Sequence, residues 1–223
     1  MEYIDELEQV FKEHSNEGIA IQQKAYLKGQ FEFYGIKSPL RRELARPFLI
    51  KAYLPPKSEL KNLCTSLWAK PQRDFHYFAI DLAIKYKKDY ETSDLPLWEH
   101  LALHNSWWDT IDFISSKLMG QQFLTYPEQR DPFIEKWLKQ DNIWMKRCCI
   151  LFQLKYKEKM DLDCLSYVIN KTTGSKEFFI NKAIGWILRE RSKYDPNWVH
   201  AFIEKTKLSP LSKREASKYL KNQ

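Results

Sequence analysis

The stretch SWWDTIDFISSKL, residues 106–118, decides how the chain is read, because it opens like a helix and then keeps an apolar residue at every third or fourth position. Ser106 followed three residues later by Asp109 has the form of a capping box, in which a hydroxyl and a carboxylate satisfy backbone N–H groups at a helix start. Trp107, Ile111, Ile114 and Leu118 then share one stripe, the spacing of a face packed on a neighbouring helix. Similar starts occur at Ser38-Pro39, Lys70-Pro71, Asp141, Ser175 and Ser209-Pro210, each a capping residue or a first-turn proline before an apolar run. The starts near 71, 106, 141, 175 and 210 are spaced by about 35 residues. Between them sits a second helix, often marked by a tryptophan: Trp68, Trp98, Trp137 or Trp198.

Strand patterns are poor and only 6 glycines interrupt 223 residues, so the chain reads as all-α. Units of this length cannot bury an apolar face alone and must stack, which makes a curved solenoid of helix pairs. The Leu-Gly turn pattern of tetratricopeptide repeats is absent, leaving a HEAT-like array as the expected architecture, one domain over residues 1–223. Function is expected on the concave face, along the helices that begin near 71, 106, 141, 175 and 210.

With 43% hydrophobic residues the chain can bury a sizeable core without disulfide or metal. No apolar run approaches the roughly 18 residues of a membrane helix, and the acidic, amphipathic start, residues 1–13, does not resemble a signal peptide. Cys64, Cys148, Cys149 and Cys164 lack metal-ligand spacing and are expected as reduced core residues. Against 29 acidic residues stand 36 basic ones, a net charge of +7, which favours a polyanionic partner if the bases share one face.

On the 106–118 helix, Asp109 is assigned to the cap and Trp107 to the core. Trp108 and Asp112, four residues apart, look out together about 100° from the core stripe. Either they face a ligand, or Trp108 packs on the next repeat and Asp112 sits in a salt bridge. The helix SKEFFINKAIGWILRE, residues 175–190, buries Ile180, Ile184, Ile187 and by spacing Phe178, while Lys182, Gly185, Trp186, Arg189 and Lys193 form a second stripe. Bases flanking an aromatic suit a phosphate backbone, with Gly185 permitting close approach of another chain, although a solvated basic face has the same pattern. In DNIWMKRCCILFQLKYK, residues 141–157, Asp141 is read as the cap and Arg147 borders an apolar face of Trp144, Cys148 and Leu151.

Two indoles flanking one carboxylate suit a developing cation, and cleavage of an N-glycosidic bond produces one as the sugar becomes oxocarbenium-like. Glycosidases normally add a second carboxyl to protonate the leaving group. A single carboxylate suffices when the base is already cationic through alkylation.

NSWWDTID, DNIWMKRCCILFQLKYK and SKEFFINKAIGWILRE, with GQFEFYGIKSPLRR and LSPLSKREA, closely resemble the AlkD family of bacterial DNA alkylation repair glycosylases over essentially the whole chain. The resemblance implies a HEAT-like solenoid that wraps duplex DNA on its concave face, excises cationic N3- and N7-alkylpurines without flipping the base, and uses no metal or organic cofactor. It implies Asp112 as the catalytic carboxylate and Trp108 and Trp186 as aromatic walls beside the deoxyribose. Tyr26 would approach the DNA, Arg147 and Arg189 would hold phosphates, and Phe179 would line the cleft. Lys182 and Lys193 join the DNA-binding set as members of the basic stripe. Lys37 departs from a glutamine in a close relative, which would change the character of that DNA contact, toward phosphate. A monomer in the bacterial cytoplasm is the implied state.

Two other classes compete. HEAT-like arrays serve as protein scaffolds or non-catalytic DNA binders, and subfamilies of this fold lack the catalytic set. A metal site at His100 and His104 has two imidazoles and no third ligand, and a Schiff base on Lys182 would need a depressed lysine pKa that nothing in the sequence signals.

Overall fold

A computed structural model describes residues 2–222 of the chain. Among them there is no β-strand, only an isolated bridge between Glu32 and Gln72, and no helix is long and apolar enough to cross a membrane. The protein is all-α, as the three- and four-residue apolar spacing requires. It falls into two compact units, Met1–Tyr90 and Glu91–Gln223.

The first unit contains α1 (Glu2–Glu13), α2 (Glu17–Tyr26), α3 (Ser38–Ala45), α4 (Leu60–Trp68) and α5 (Arg73–Lys85). Ile4, Leu7 and Phe11 place one apolar stripe of α1 in the core, where Phe11 meets Tyr34 and Phe75. α4 and α5 pair, burying Leu67, Trp68, Phe75 and Phe78. Asp74 accepts from the backbone N–H of Tyr34 at 2.9 Å, tying α5 to the segment between α2 and α3. Gly35 in that segment has φ +80°, and a Cβ there would lie 1.9 Å from the Asn16 carbonyl oxygen, so no other residue fits the turn that delivers Ile36 and Lys37 to the start of α3.

The second unit contains α6 (Leu95–Leu103), α7 (Trp108–Phe113), a π-helical turn (Ile114–Met119), α8 (Gly120–Thr125), α9 (Arg130–Leu138), α10 (Ile143–Leu151), α11 (Leu162–Thr172), α12 (Phe178–Arg191), α13 (Pro196–Lys205) and α14 (Pro210–Ala216). The second helices of successive pairs, α7, α10 and α12, begin at Trp108, Ile143 and Phe178, so the repeat step of about 35 residues stands. Each begins two or three residues after its expected mark.

The reason for that lag is in the caps. Ser106 does not close a capping box: its hydroxyl donates to the Ala102 carbonyl at 2.5 Å, and Trp107 occupies the cap position without a side-chain bond. Asn142, not Asp141, caps α10, its side chain accepting from the N–H groups of Trp144 and Met145. Ser175 accepts from the Glu177 N–H one turn before α12.

α12 packs most extensively on α14 and also on α10. Gly185 is the contact point with α14: a Cβ there would lie 2.5 Å from Glu215 Cβ and 3.0 Å from the Ser212 carbonyl oxygen. Its missing side chain therefore serves helix packing within the protein, which corrects the expectation that it makes room for a ligand chain. Gly185→Ala is expected to push α14 outward and lower stability by about 1 to 3 kcal/mol, read as a lower midpoint in urea unfolding.

Candidate functional site

Asp112 is the next-to-last residue of α7, and after Phe113 the helix continues as a π turn rather than in α register. The Asp112 carbonyl there accepts from the hydroxyls of Ser115 at 3.3 Å and Ser116 at 2.6 Å. π turns inserted in α-helices are frequent at functional sites, and sequence periodicity gave no sign of this one.

The Asp112 carboxylate meets Arg147 of α10 in a bidentate pair, Nε to Oδ1 at 2.7 Å and Nη2 to Oδ2 at 3.0 Å. Arg147 Nη1 donates to the Phe179 carbonyl at the start of α12. Three helices that are distant in sequence are thus joined through one guanidinium whose planar fork fits them. Arg147 is 3% exposed. Three of its five N–H donors go to Asp112 and Phe179, so the side chain orients the carboxylate. Burial raises the Asp112 pKa above its ordinary value, and the hydrogen bonds and charge of Arg147 pull in the opposite direction. Burial likewise pushes the thiol of Cys148, a neighbour on α10, well up, so it stays protonated and unreactive.

The ion pair does not seal the site. Asp112 and Arg147 form part of the wall of a cavity of about 380 Å³, together with Trp108, Phe178, Phe179, Lys182, Trp186 and Arg189. Trp108 and Trp186, from α7 and α12, are both half-buried, neither enclosed in the core. Phe179 lines the cavity as expected, whereas Phe178, expected in the core, is 57% exposed at its edge. Trp107 does not join the stripe of Ile111, Ile114 and Leu118, which are fully buried. It is half-buried in a cluster with Trp144 and Phe179, ring centroids 5.4 Å from each, and its Nε1 is buried without a hydrogen-bond partner. That cluster backs the Phe179 backbone whose carbonyl holds Arg147.

The basic stripe on α12 has a buried counter-charge that sequence reading missed. Glu215 of α14 accepts from Lys182 at 2.9 Å, Arg189 at 2.8 Å and Lys218 at 2.8 Å. Three cations on one carboxylate leave a net positive cluster while fixing where its charges point. Lys218 and Lys182 hold the Glu215 carboxyl down at about 2, against the cost of burial. A folded-state pKa below the ordinary carboxylate value contributes stability that is present above about 4.5 and is lost as the pH falls toward 2. Glu215→Gln should therefore melt well below the parent at pH 7, and the two melting curves should converge as the pH is lowered through that window. Lys193 stands apart from the cluster, bonded to Glu190 at 2.6 Å and lying over the Tyr219 ring.

Tyr26 and Lys37 lie in the first unit, both exposed and both lining a separate cavity there. Asp109 is buried. His100 and His104 stack with ring centroids 4.2 Å apart, and among the described residues no group of three or more His, Cys, Asp or Glu is arranged to hold a metal ion. Cys64, Cys148 and Cys149 are buried and Cys164 is half-buried, none of them in a disulfide.

A family model described as DNA alkylation repair enzyme matches residues 7–220. A solved structure described as a predicted DNA alkylation repair enzyme from Enterococcus faecalis is 32% identical, covering 94% of this chain and 98% of that one, with a TM-score of 0.86. No curated protein matches.

Proposed function

The chain belongs to the DNA alkylation repair enzyme family, and from that premise we propose that it is a monofunctional glycosylase hydrolysing the N-glycosidic bond of cationic N3- and N7-alkylated purines in duplex DNA. The observation that carries this reading is the convergence of Trp108, Trp186 and the Asp112 carboxylate on one cavity rimmed by Lys182 and Arg189. As the bond to an alkylated purine lengthens, positive charge moves from the base to the sugar. The indole faces attract that charge by about 0.5 to 2 kcal/mol each. The Asp112 carboxylate, oriented before reaction and partly stripped of water, adds the larger electrostatic share.

Arg147 holds Asp112 in place without protonating it, so the same carboxylate can orient the attacking water on the sugar. The departing base leaves neutral and needs no proton, in keeping with a cavity that offers no second carboxyl. This confines the reaction to adducts that carry their own charge. The cavity is wide and walled by side chains suited to sugar and phosphate, which supports action on a base that remains stacked. No metal or organic cofactor enters this scheme.

The test is incubation of the protein with duplex DNA bearing 7-methylguanine, without divalent metal, and measurement of freed base. Release is expected, with affinity falling steeply as salt rises. The bidentate Asp112–Arg147 pair favours a second reading, a non-catalytic DNA binder in which the carboxylate is purely structural. In that case DNA affinity and its salt slope persist and no base is freed.

A further inference from the structure

Glu215 of α14 is 3% exposed, yet its carboxylate takes ion pairs from two bases on the rim of the Asp112 cavity, Lys182 at 2.9 Å and Arg189 at 2.8 Å. These bases are seven residues apart on α12, two helical turns or about 10 Å. One carboxylate reaches both only from a point midway between them and close to the α12 backbone. Gly185 supplies that point: it lies three residues after Lys182 and four before Arg189, where a Cβ would stand 2.5 Å from Glu215 Cβ. Trp186, the next residue, lies between the same two bases and lines the cavity. The two cations therefore bracket the indole along α12, and neither swings freely as a long basic side chain in water does.

A carboxylate among bases that are to meet phosphates opposes binding, since each negative charge at such a surface weakens the hold on a polyanion. Affinity for duplex DNA by itself would favour a neutral residue at this position. Fixing the bases against one place on the strand favours a carboxylate, because orientation at the reacting centre lowers the barrier. The Lys182 and Arg189 side chains stay 38% and 23% exposed while bonded to Glu215, so each retains surface for a phosphate. We propose that Glu215 is a positioning residue for base release: it holds Lys182 and Arg189 on either side of Trp186, so that the phosphates they meet set the deoxyribose against Trp108, Trp186 and Asp112. The carboxylate weakens the grip on DNA and sharpens its register. This role rests on the glycosylase reading of the same cavity.

Release of 7-methylguanine at saturating DNA and duplex affinity over a range of salt, both measured on the full chain well below its melting temperature, separate placement from charge and from stability. Glu215→Gln should bind duplex about threefold more tightly at low salt, with a salt slope steeper by about one charge, and should free base about tenfold more slowly. Glu215→Asp keeps the charge on a stem one methylene shorter, which does not span both bases. It should keep the parent's affinity and salt slope and still free base several-fold more slowly, and it decides the matter if Glu215→Gln does not fold. Val168→Ala, which opens a cavity in the buried face of α11, should lower the melting temperature and leave rate and affinity as in the parent. Parent-like release by either Glu215 variant, a loss of rate that Val168→Ala reproduces, or a Glu215→Gln salt slope no steeper than the parent's would each overturn the proposal. A parent that frees no base overturns the glycosylase reading and this role with it; a parent that frees base while Glu215→Gln keeps its rate overturns this role alone.

Discussion

Asp112→Asn is expected to slow release of 7-methylguanine by about 10²- to 10³-fold while leaving duplex binding unchanged. The amide keeps the shape of the carboxylate and a carbonyl oxygen for Arg147 Nε, now 2.7 Å from Oδ1, but removes the negative charge that a sugar cation would meet. The loss should appear in the rate at saturating DNA, because the missing interaction matters in the transition state. Full activity in this variant would remove Asp112 from the chemistry and leave only the binding reading.

The parent should also lose activity as the pH falls, because only the ionised carboxylate serves. Burial raises the Asp112 pKa above the ordinary 3.8, so the acid limb lies above that value. Stability runs the other way: a carboxyl with a raised folded-state pKa favours folding below the ordinary value, and that contribution is lost as the pH rises through the folded one. Asp112 is ionised at some cost to the fold, in the range where it is useful.

Arg147→Ala is expected to cost roughly 3 to 5 kcal/mol of stability, because it leaves the Asp112 carboxylate desolvated without its partner and strips the Phe179 carbonyl of its donor. Thermal melting should fall by about 10 °C. Any remaining base release should require higher pH than in the parent, since Arg147 supplies the effects that hold the Asp112 pKa down. Arg147→Lys should recover little: an ammonium is a point charge and cannot span both carboxylate oxygens and the carbonyl. A variant with normal stability and an unmoved pH profile would show that the guanidinium neither supports nor orients the carboxylate.

Much of the fold is legible in the sequence because a helix-pair repeat needs only local signals: the step near 35 residues and the apolar stripes lie within short windows. The cap positions are less so, since Ser106, Asp141 and Ser175 compete with neighbours such as Asn142 for the same backbone groups, and the tertiary fit decides. Trp108, Asp112 and Trp186 could be singled out because they look away from their helices' core stripes. A salt bridge at Asp112 could be raised only as an open alternative, without Arg147 as its partner, and the Glu215 cluster gave no signal. Apart from Lys218, such partners are 26 to 35 residues apart in the chain, and a one-dimensional pattern does not encode which charge meets which. Gly185 shows the same limit: spacing puts it on the Trp186 stripe, yet its crossing with α14 is visible only in three dimensions.

The π turn at residues 114–119 acts as a register shifter. Were these same residues to run in plain α phase with none removed, everything beyond them would rotate by about 100°. Gln122, whose amide ties together Trp98, the Glu91 carbonyl and Gln129, would swing out of its hub, even though Trp108 and Asp112 upstream were unchanged. The surplus residue lets one rod satisfy two incompatible azimuths, one facing the Asp112 cavity and the other the scaffold behind it.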